Sequence, residues 1–231
     1  MELFRTENLS KIYKTSSESV LALDKVSLSI NSGELLAISG RSGSGKTTLL
    51  NLLGLLDSVS GGDIYLEDIK YSQLDKKAQT NIRRDYIGMI FQSYNLIPVL
   101  TAVENVELAL NVLEKKSLEK LGLMNKNDKR DFAIQSLNEV GLENKENRRP
   151  NELSGGQQQR ISIARAIVKQ PKVLLADEPT ANLDKENSLN VISLIEKLNS
   201  EKGLTCIYSS HDKLIIESVK REIKLEDGRI C

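Results

Sequence analysis

Glycines, serines, a lysine and two threonines are concentrated in one short segment. Its residues are Gly40, Arg41, Ser42, Gly43, Ser44, Gly45, Lys46, Thr47 and Thr48. Glycines let the backbone turn its N–H groups inward, and a following helix adds its positive end, so such a loop holds phosphate oxygens. The Lys46 ammonium suits the outer phosphates, and the Thr47 hydroxyl suits Mg²⁺. The segment predicts ATP with Mg²⁺, although by itself it would also allow a kinase, a GTPase or a motor.

The segments around this loop predict the elements that must position it. The apolar run 35–38 precedes the loop, and the run Thr48 to Leu56 that follows it has helical character. A second continuous apolar run covers residues 173–176, and such runs are typical of parallel strands buried on both faces. Val26, Leu28 and Ile30 alternate instead with polar residues, which indicates antiparallel strands with one solvated face.

The remaining segments complete an α/β prediction. Apolar residues recur at helical spacing between Gln92 and Arg149, which we interpret as an inserted helical subdomain. A further helix is predicted from Leu189, Ile192, Ile195 and Leu198, ended by Gly203 and followed by a strand over 204–210. The end of the chain predicts a hairpin across Asp227-Gly228. We therefore expect a P-loop NTPase core with a mostly parallel central sheet, an N-terminal antiparallel β subdomain and an inserted helical subdomain. The expected boundaries are 1–92 and 160–231 for the core and 93–159 for the helical subdomain.

Composition narrows the classes of partner. The chain of 231 residues has 32 basic and 32 acidic residues, a balance that does not favour nucleic acid. The first residues lack a basic region followed by an apolar stretch, and no apolar run approaches roughly 18 residues. Cys206 and Cys231 have neither metal-ligand nor disulfide spacing. We expect a cytosolic chain that does not cross a membrane.

A second candidate anion site begins at Ser154 and continues through Gly155, Gly156 and Gln157. Apolar residues at helical spacing follow it, so Ser154 is placed to cap a helix whose first amides are those of the glycines. One chain thus carries two surfaces for phosphate. A single triphosphate could be held between two chains.

The pentapeptide Leu153 to Gln157 resembles the signature of the ABC transporter ATPases, and the resemblance covers nearly the whole chain. It implies a head-to-tail dimer in which each signature faces the γ-phosphate held by the phosphate loop of the other chain. ATP would join the two copies, and hydrolysis would separate them. A partner can use such a motion.

The same resemblance implies roles for residues that follow the predicted strands. Asp177 and Glu178 lie at the carboxyl end of a strand, where open α/β sheets place ligands. By resemblance Asp177 supports Mg²⁺, and Glu178 accepts a proton from the attacking water or orients it. His211, the only histidine, resembles the residue that senses the γ-phosphate. Ser209-Ser210 before it departs from the commoner Val-Thr or Thr-Thr.

Three further residues are assigned by resemblance alone. Gln92 corresponds to a glutamine that reaches Mg²⁺ and water and links the core to the helical subdomain. Tyr13 lies where the family places an aromatic that stacks on adenine. Asp184 matches the loop that follows the catalytic carboxylates, in which Asn182 replaces the usual alanine.

The stretches 49–56, 87–92, 95–98 and 101–106 resemble one subgroup: ATPases of macrolide exporters, lipoprotein-release machines, antimicrobial-peptide resistance transporters and cell division. This implies an ATPase subunit docked to a separately encoded membrane permease on the cytoplasmic side of the cell membrane. Two alternatives stay open. One is a soluble ABC protein acting on ribosomes or DNA, and the other is a regulatory module that gates a partner. The cargo is not predicted, because its site in this arrangement belongs to the permease.

Overall fold

The chain forms two sheets and eight α-helices over residues 1–14 and 18–231, the part that the computed structural model describes. The strands are β1 Glu2–Lys14, β2 Ser19–Asn31, β3 Leu35–Ser39, β4 Gly61–Leu66, β5 Ile69–Lys70, β6 Ile87–Ile90, β7 Val173–Asp177, β8 Thr205–Ser209, β9 Arg221–Glu226 and β10 Arg229–Ile230. The helices are α1 Lys46–Leu53, α2 Lys76–Tyr86, α3 Ala102–Asn111, α4 Lys115–Lys120, α5 Lys126–Glu139, α6 Gly155–Ile167, α7 Lys185–Lys202 and α8 Lys213–Ser218.

The N-terminal sheet is antiparallel, as the alternating pattern predicts. Its strand order is β2-β1-β4-β5, and β1 pairs with both β2 and β4. Phe4 and Leu9 of β1 and Val26 and Ile30 of β2 pack into one apolar cluster. Thr6 between them is also buried, whereas the remaining intervening positions are exposed or half-buried. This sheet covers one side of the core.

The central sheet has six strands in the order β10-β9-β3-β8-β7-β6. The five strands from β9 to β6 are parallel, and β10 adds an antiparallel edge. Leu36 and Val173 pack into the apolar cluster shared with the N-terminal sheet, whereas Ala37 and Leu174 pack into the cluster on the opposite face. Burial on both faces explains the continuous apolar runs. The hairpin between β9 and β10 turns at Asp227 and Gly228, with φ of 46° and 77°.

The helical segment shares its core with the sheet. The cluster on the second face joins residues of α3 and α5 to α6, α7 and the central strands. Helix α6 is continuous from Gly155 to Ile167, so the predicted boundary between residues 159 and 160 falls inside it. The division into 1–92, 93–159 and 160–231 stays a prediction.

Helix α7 ends at Gly203 as the sequence predicts, but one residue of its predicted apolar face, Leu189, is not buried. The Asp184 side chain caps its first turn, and Gly203 ends it in the left-handed conformation with φ 62°. Leu189 is 47% exposed, whereas Ser188 and Val191 are buried. The buried face of α7 therefore includes Ser188 and Val191, and it leaves Leu189 partly in solvent.

Two smaller observations bear on the expectations from composition. No helix within residues 1–14 and 18–231 is both long and apolar enough to span a bilayer. Cys206 is buried and Cys231 exposed, and neither forms a disulfide.

Candidate nucleotide site

Four parallel strands end at one edge of the central sheet, and each is followed by candidate site residues. Strand β3 leads into the phosphate loop, β7 into Glu178, β8 into Ser210 and His211, and β6 into Gln92. The carboxyl ends of parallel strands form the ligand crevice of open α/β sheets. The predicted chemistry therefore converges on one edge.

The phosphate loop requires glycine where it passes close to neighbouring backbone. A Cβ atom on Gly40, which has φ 150°, would lie 2.1 Å from the carbonyl oxygen of Leu225. A Cβ atom on Gly45, with φ 104°, would lie 2.5 Å from the carbonyl oxygen of Ala22. Gly45 is the N-cap of α1, so the loop leads directly into the first turn of that helix. Helix α1 ends at Leu53, earlier than the predicted Leu56.

Lys46 lies across the loop rather than extending into solvent. The residue is 7% exposed, and its ammonium donates to the carbonyl oxygens of Gly40, at 2.9 Å, and Arg41, at 3.1 Å. It also lies 4.0 Å from Oε1 of Glu178. One cation thus connects the phosphate loop to the acidic residue after β7.

Thr47 and Asp177 form a pair of oxygen ligands next to this lysine. The Thr47 hydroxyl donates to Oδ1 of Asp177 at 3.0 Å. Within the described residues no group of three or more His, Cys, Asp or Glu side chains is arranged to hold a metal. A pair of hard oxygens suits Mg²⁺, which often takes only one or two protein ligands and completes its shell with phosphates and water.

Glu178 is held from several sides in an uncommon backbone conformation. Its φ of 44° lies in the left-handed region, and its N–H donates to the carbonyl oxygen of Ser209 at 2.8 Å. Its Oε2 accepts from the Ser210 hydroxyl at 2.8 Å, and its Oε1 lies 2.7 Å from Nδ1 of His211. Strained conformations at non-glycine residues cluster at functional sites.

Ser210 has a role that the sequence does not reveal. The residue is fully buried, and its Oγ accepts from the N–H of Asp212 at 3.1 Å, which leaves its own hydrogen for Glu178. The Asp212 carboxylate in turn accepts from the Thr180 hydroxyl at 2.8 Å. The only signal in the sequence is the departure from the family pattern at Ser209-Ser210, which marks this segment but does not indicate the hydrogen bond from Ser210 to Glu178.

The loop after β6 is held through its backbone. The Gln92 side chain is exposed and makes no hydrogen bond to any described residue, but its carbonyl oxygen accepts from the Asn182 amide at 3.0 Å. The Arg165 guanidinium of α6 donates to the carbonyl oxygens of Tyr94, at 2.7 Å, and Asn95, at 2.5 Å. Burial lowers the pKa of Arg165. Asn182, a departure from the family pattern, therefore joins the loops after β7 and β6.

The signature segment starts α6 as predicted. Ser154 Oγ accepts from the N–H of Gln157 at 3.3 Å, and Gln157 Oε1 accepts from the N–H of Ser154 at 3.1 Å. Gly156 is packed so that a Cβ atom would lie 2.4 Å from Oδ1 of Asn187. Asn187 also donates twice to Asp184, and the bond from its N–H helps to hold the pKa of Asp184 below the usual value. Sequence reasoning missed Asn187, which connects the signature to Asp184.

Two separate polar groups thus form in one chain. The first contains Lys46, Thr47, Asp177, Glu178 and His211. The second contains the signature residues and Asp184, and no hydrogen bond or ion pair among the described residues joins it to the phosphate loop. Tyr13 is 39% exposed, and its hydroxyl donates to Asp57 at 2.8 Å.

Comparisons with known proteins agree with this geometry. The family model described as ABC transporter matches residues 23–181. An uncharacterised ABC transporter ATP-binding protein of Methanocaldococcus jannaschii, MJ0796, is 43% identical over 99% of this chain and 95% of its own length. A second such protein of that organism, MJ1508, is 40% identical over 99% of this chain and 97% of its own length.

Solved structures of the MJ0796 cassette share the fold. A dimeric structure described as a post-hydrolysis state bound to ADP and Pi has a TM-score of 0.89 and 42% identity, and it covers 99% of this chain and 96% of that chain. Another dimeric structure of the same cassette matches with the same TM-score, identity and coverage. The chain belongs to the ABC transporter family.

Proposed function

We propose that this chain binds ATP with Mg²⁺ on the phosphate loop and hydrolyses it as the ATPase subunit of an ABC transporter. The observation that carries the proposal is the meeting of Lys46, the Thr47–Asp177 pair and the Glu178–His211 pair at one sheet edge. The buried hydroxyl of Ser44, within the loop, has no hydrogen-bond partner among the described residues. A buried polar atom of this kind suits a loop that receives phosphate oxygens.

Each residue has a task that its chemistry fits. The Lys46 ammonium neutralises charge on the outer phosphates. Glu178 accepts a proton from the attacking water, and the hydrogen bond from Ser210 directs its carboxylate. His211, whose side chain is 71% exposed, lies beside that carboxylate and faces outward. Thr47 and Asp177, with Gln92 as a further ligand, would hold Mg²⁺. Bound there, the ion would neutralise charge on the outer phosphates.

The second polar group supports a head-to-tail dimer. Ser154, Gly155, Gly156 and Gln157 present a capped helix start, a feature that binds anions. In the dimer that we propose, this surface and Asp184 face the triphosphate held by the other chain. The dimeric structures of the MJ0796 cassette support the arrangement.

A groove beside the loop after β6 supports a permease partner. Its volume is about 350 Å³, and apolar side chains that include Leu56, Phe91 and Val112 line it. Leu56 is 48% exposed and Val112 is 63% exposed. We propose that a cytoplasmic segment of a separately encoded permease occupies it, which places the ATPase at the cytoplasmic face of the membrane. Arg165 also lines the groove and binds the loop backbone, so a segment seated there contacts the same element that leads from Gln92.

ATP turnover and ATP-dependent dimerisation test the proposal. The Glu178→Gln variant removes the base while keeping the size of the side chain, and we expect turnover to fall by about 10²- to 10⁴-fold. Dimerisation in ATP should persist, and Glu217→Gln, at an exposed position on α8, is the matched control. Unchanged turnover in Glu178→Gln would remove Glu178 from its role. A native pull-down that yields a homodimer without a membrane protein would contradict the permease.

A further inference from the structure

Lys11, Tyr13 and Asp57 form a hydrogen-bonded cluster at the end of β1. Lys11 is 7% exposed, and its ammonium donates to Oδ1 of Asp57 and to the carbonyl oxygen of Ser58, both at 2.6 Å. The Tyr13 hydroxyl donates to the other carboxylate oxygen, Oδ2, at 2.8 Å. Both oxygens of Asp57 are therefore committed to residues of β1.

Asp57 joins two parts of the nucleotide site. It follows α1, the helix that begins at the phosphate loop, and it holds the strand that carries Tyr13. Burial opposes ionisation, but the hydrogen bonds from Lys11 and Tyr13 hold the pKa of Asp57 below its usual value. The carboxylate is thus charged at neutral pH, and hydrogen bonds to a charged group are stronger than those between neutral groups.

The cluster restrains the Tyr13 ring at two points. The hydroxyl is tethered to Asp57, and the Lys11 ammonium lies 4.9 Å from the ring centroid, within the range of a cation–π contact. The ring is nevertheless 39% exposed. A ring that is held in place before binding loses less side-chain freedom when a planar group stacks on it.

We propose that Asp57 is a positioning residue for the base of the nucleotide, which acts by holding the Tyr13 ring through its hydroxyl. The ligand class is a nucleoside triphosphate whose planar base contacts Tyr13. This inference rests on the proposed function, since it assumes that Tyr13 is the stacking residue. Asp57 contributes to the affinity for the base and leaves the affinity for the phosphates unchanged.

Binding of two probes, ATP and inorganic tripolyphosphate, each with Mg²⁺, separates these contributions. Tyr13→Phe keeps the ring and removes the hydroxyl, which bonds to Asp57 and also to Thr48 of the phosphate loop, so we expect ATP to bind about three- to tenfold more weakly. Tripolyphosphate should bind within about twofold of wild type, because it has no base. Asp57→Ala should also weaken ATP binding, and the double variant with Tyr13→Phe should bind ATP no more weakly than Asp57→Ala alone.

The control variant is Asp63→Ala, which breaks an aspartate–lysine pair of the same sheet, 3.0 Å from Lys70, without touching Tyr13. Because Asp57→Ala leaves a buried Lys11 unpaired and can unfold the chain, Tyr13→Phe carries the test. Wild-type ATP affinity in Tyr13→Phe, or an equal loss for tripolyphosphate, would overturn the inference. If Tyr13→Ala weakens ATP binding but Tyr13→Phe does not, stacking stands and positioning by Asp57 fails. If wild type binds neither probe, the proposed function itself fails.

Discussion

The backbone of Glu178 supplies a prediction that can be measured without any nucleotide. Its φ is 44°, a left-handed conformation that costs an L-residue about 1–2 kcal/mol and that glycine adopts freely. Comparing Glu178→Gly with Glu178→Ala isolates this cost, because both variants lose the same contacts to Ser210 and His211. The only difference between them is the Cβ atom.

The magnitude follows from two opposing terms. Glycine relieves about 1–2 kcal/mol of backbone strain but loses about 0.4–1 kcal/mol because its unfolded chain is freer. The net advantage of Glu178→Gly over Glu178→Ala is about 0.5–1 kcal/mol. For a chain of 231 residues this corresponds to a melting temperature about 1–4 °C higher.

Thermal unfolding measured by calorimetry or intrinsic fluorescence checks this difference. The control is Ala181→Gly, three residues further along the same loop, where the backbone φ is not positive. There glycine should lower the melting temperature relative to alanine by a similar amount. A Glu178→Ala variant at least as stable as Glu178→Gly would refute the idea that the site stores strain at this residue.

Two other perturbations test the surroundings of the site. Ser210→Ala removes the hydrogen bond to the Glu178 carboxylate, so we expect ATP turnover to fall by about tenfold with less change in KM. Ser210→Thr keeps the hydroxyl and should lose less turnover. Equal turnover in wild type and both variants would contradict the positioning of Glu178 by Ser210. Burial lowers the pKa of Lys169 to about 8, below its value in the unfolded chain, so the folded protein binds fewer protons between about pH 8 and 10.5. Wild-type stability should therefore rise with pH across this window relative to Lys169→Met, as chemical denaturation would show, whereas a constant difference would contradict the shift.

Much of the fold was predictable because burial leaves a local pattern. The runs 35–38 and 173–176 lie on strands that bury both faces, so their apolar residues are continuous. The phosphate loop was predictable for a similar reason, since its glycines meet steric demands within one short segment. The buried face of α7 was predicted less accurately, because Leu189 is apolar yet 47% exposed.

The contacts between segments distant in the chain were not predictable. Asn187 packs against Gly156, and Asn182 reaches the carbonyl oxygen of Gln92. Asn187 lies in the first turn of α7 and Asn182 in the loop before it, and in both cases tertiary packing selects one of the many partners available to an asparagine side chain. The pairing of Asp57 with Tyr13 has the same character, because nothing near either residue in the sequence indicates the other.

Helix α6 has a mechanical consequence. Its first turn carries the signature. Arg165 lies about 16 Å further along the helix axis, at 1.5 Å per residue. The Arg165 guanidinium donates to two carbonyl oxygens of the loop after β6. A straight helix transmits displacement with little bending over such a distance. A displacement of that loop by a few ångströms would therefore be passed along α6 to the signature, through the half-buried guanidinium of Arg165.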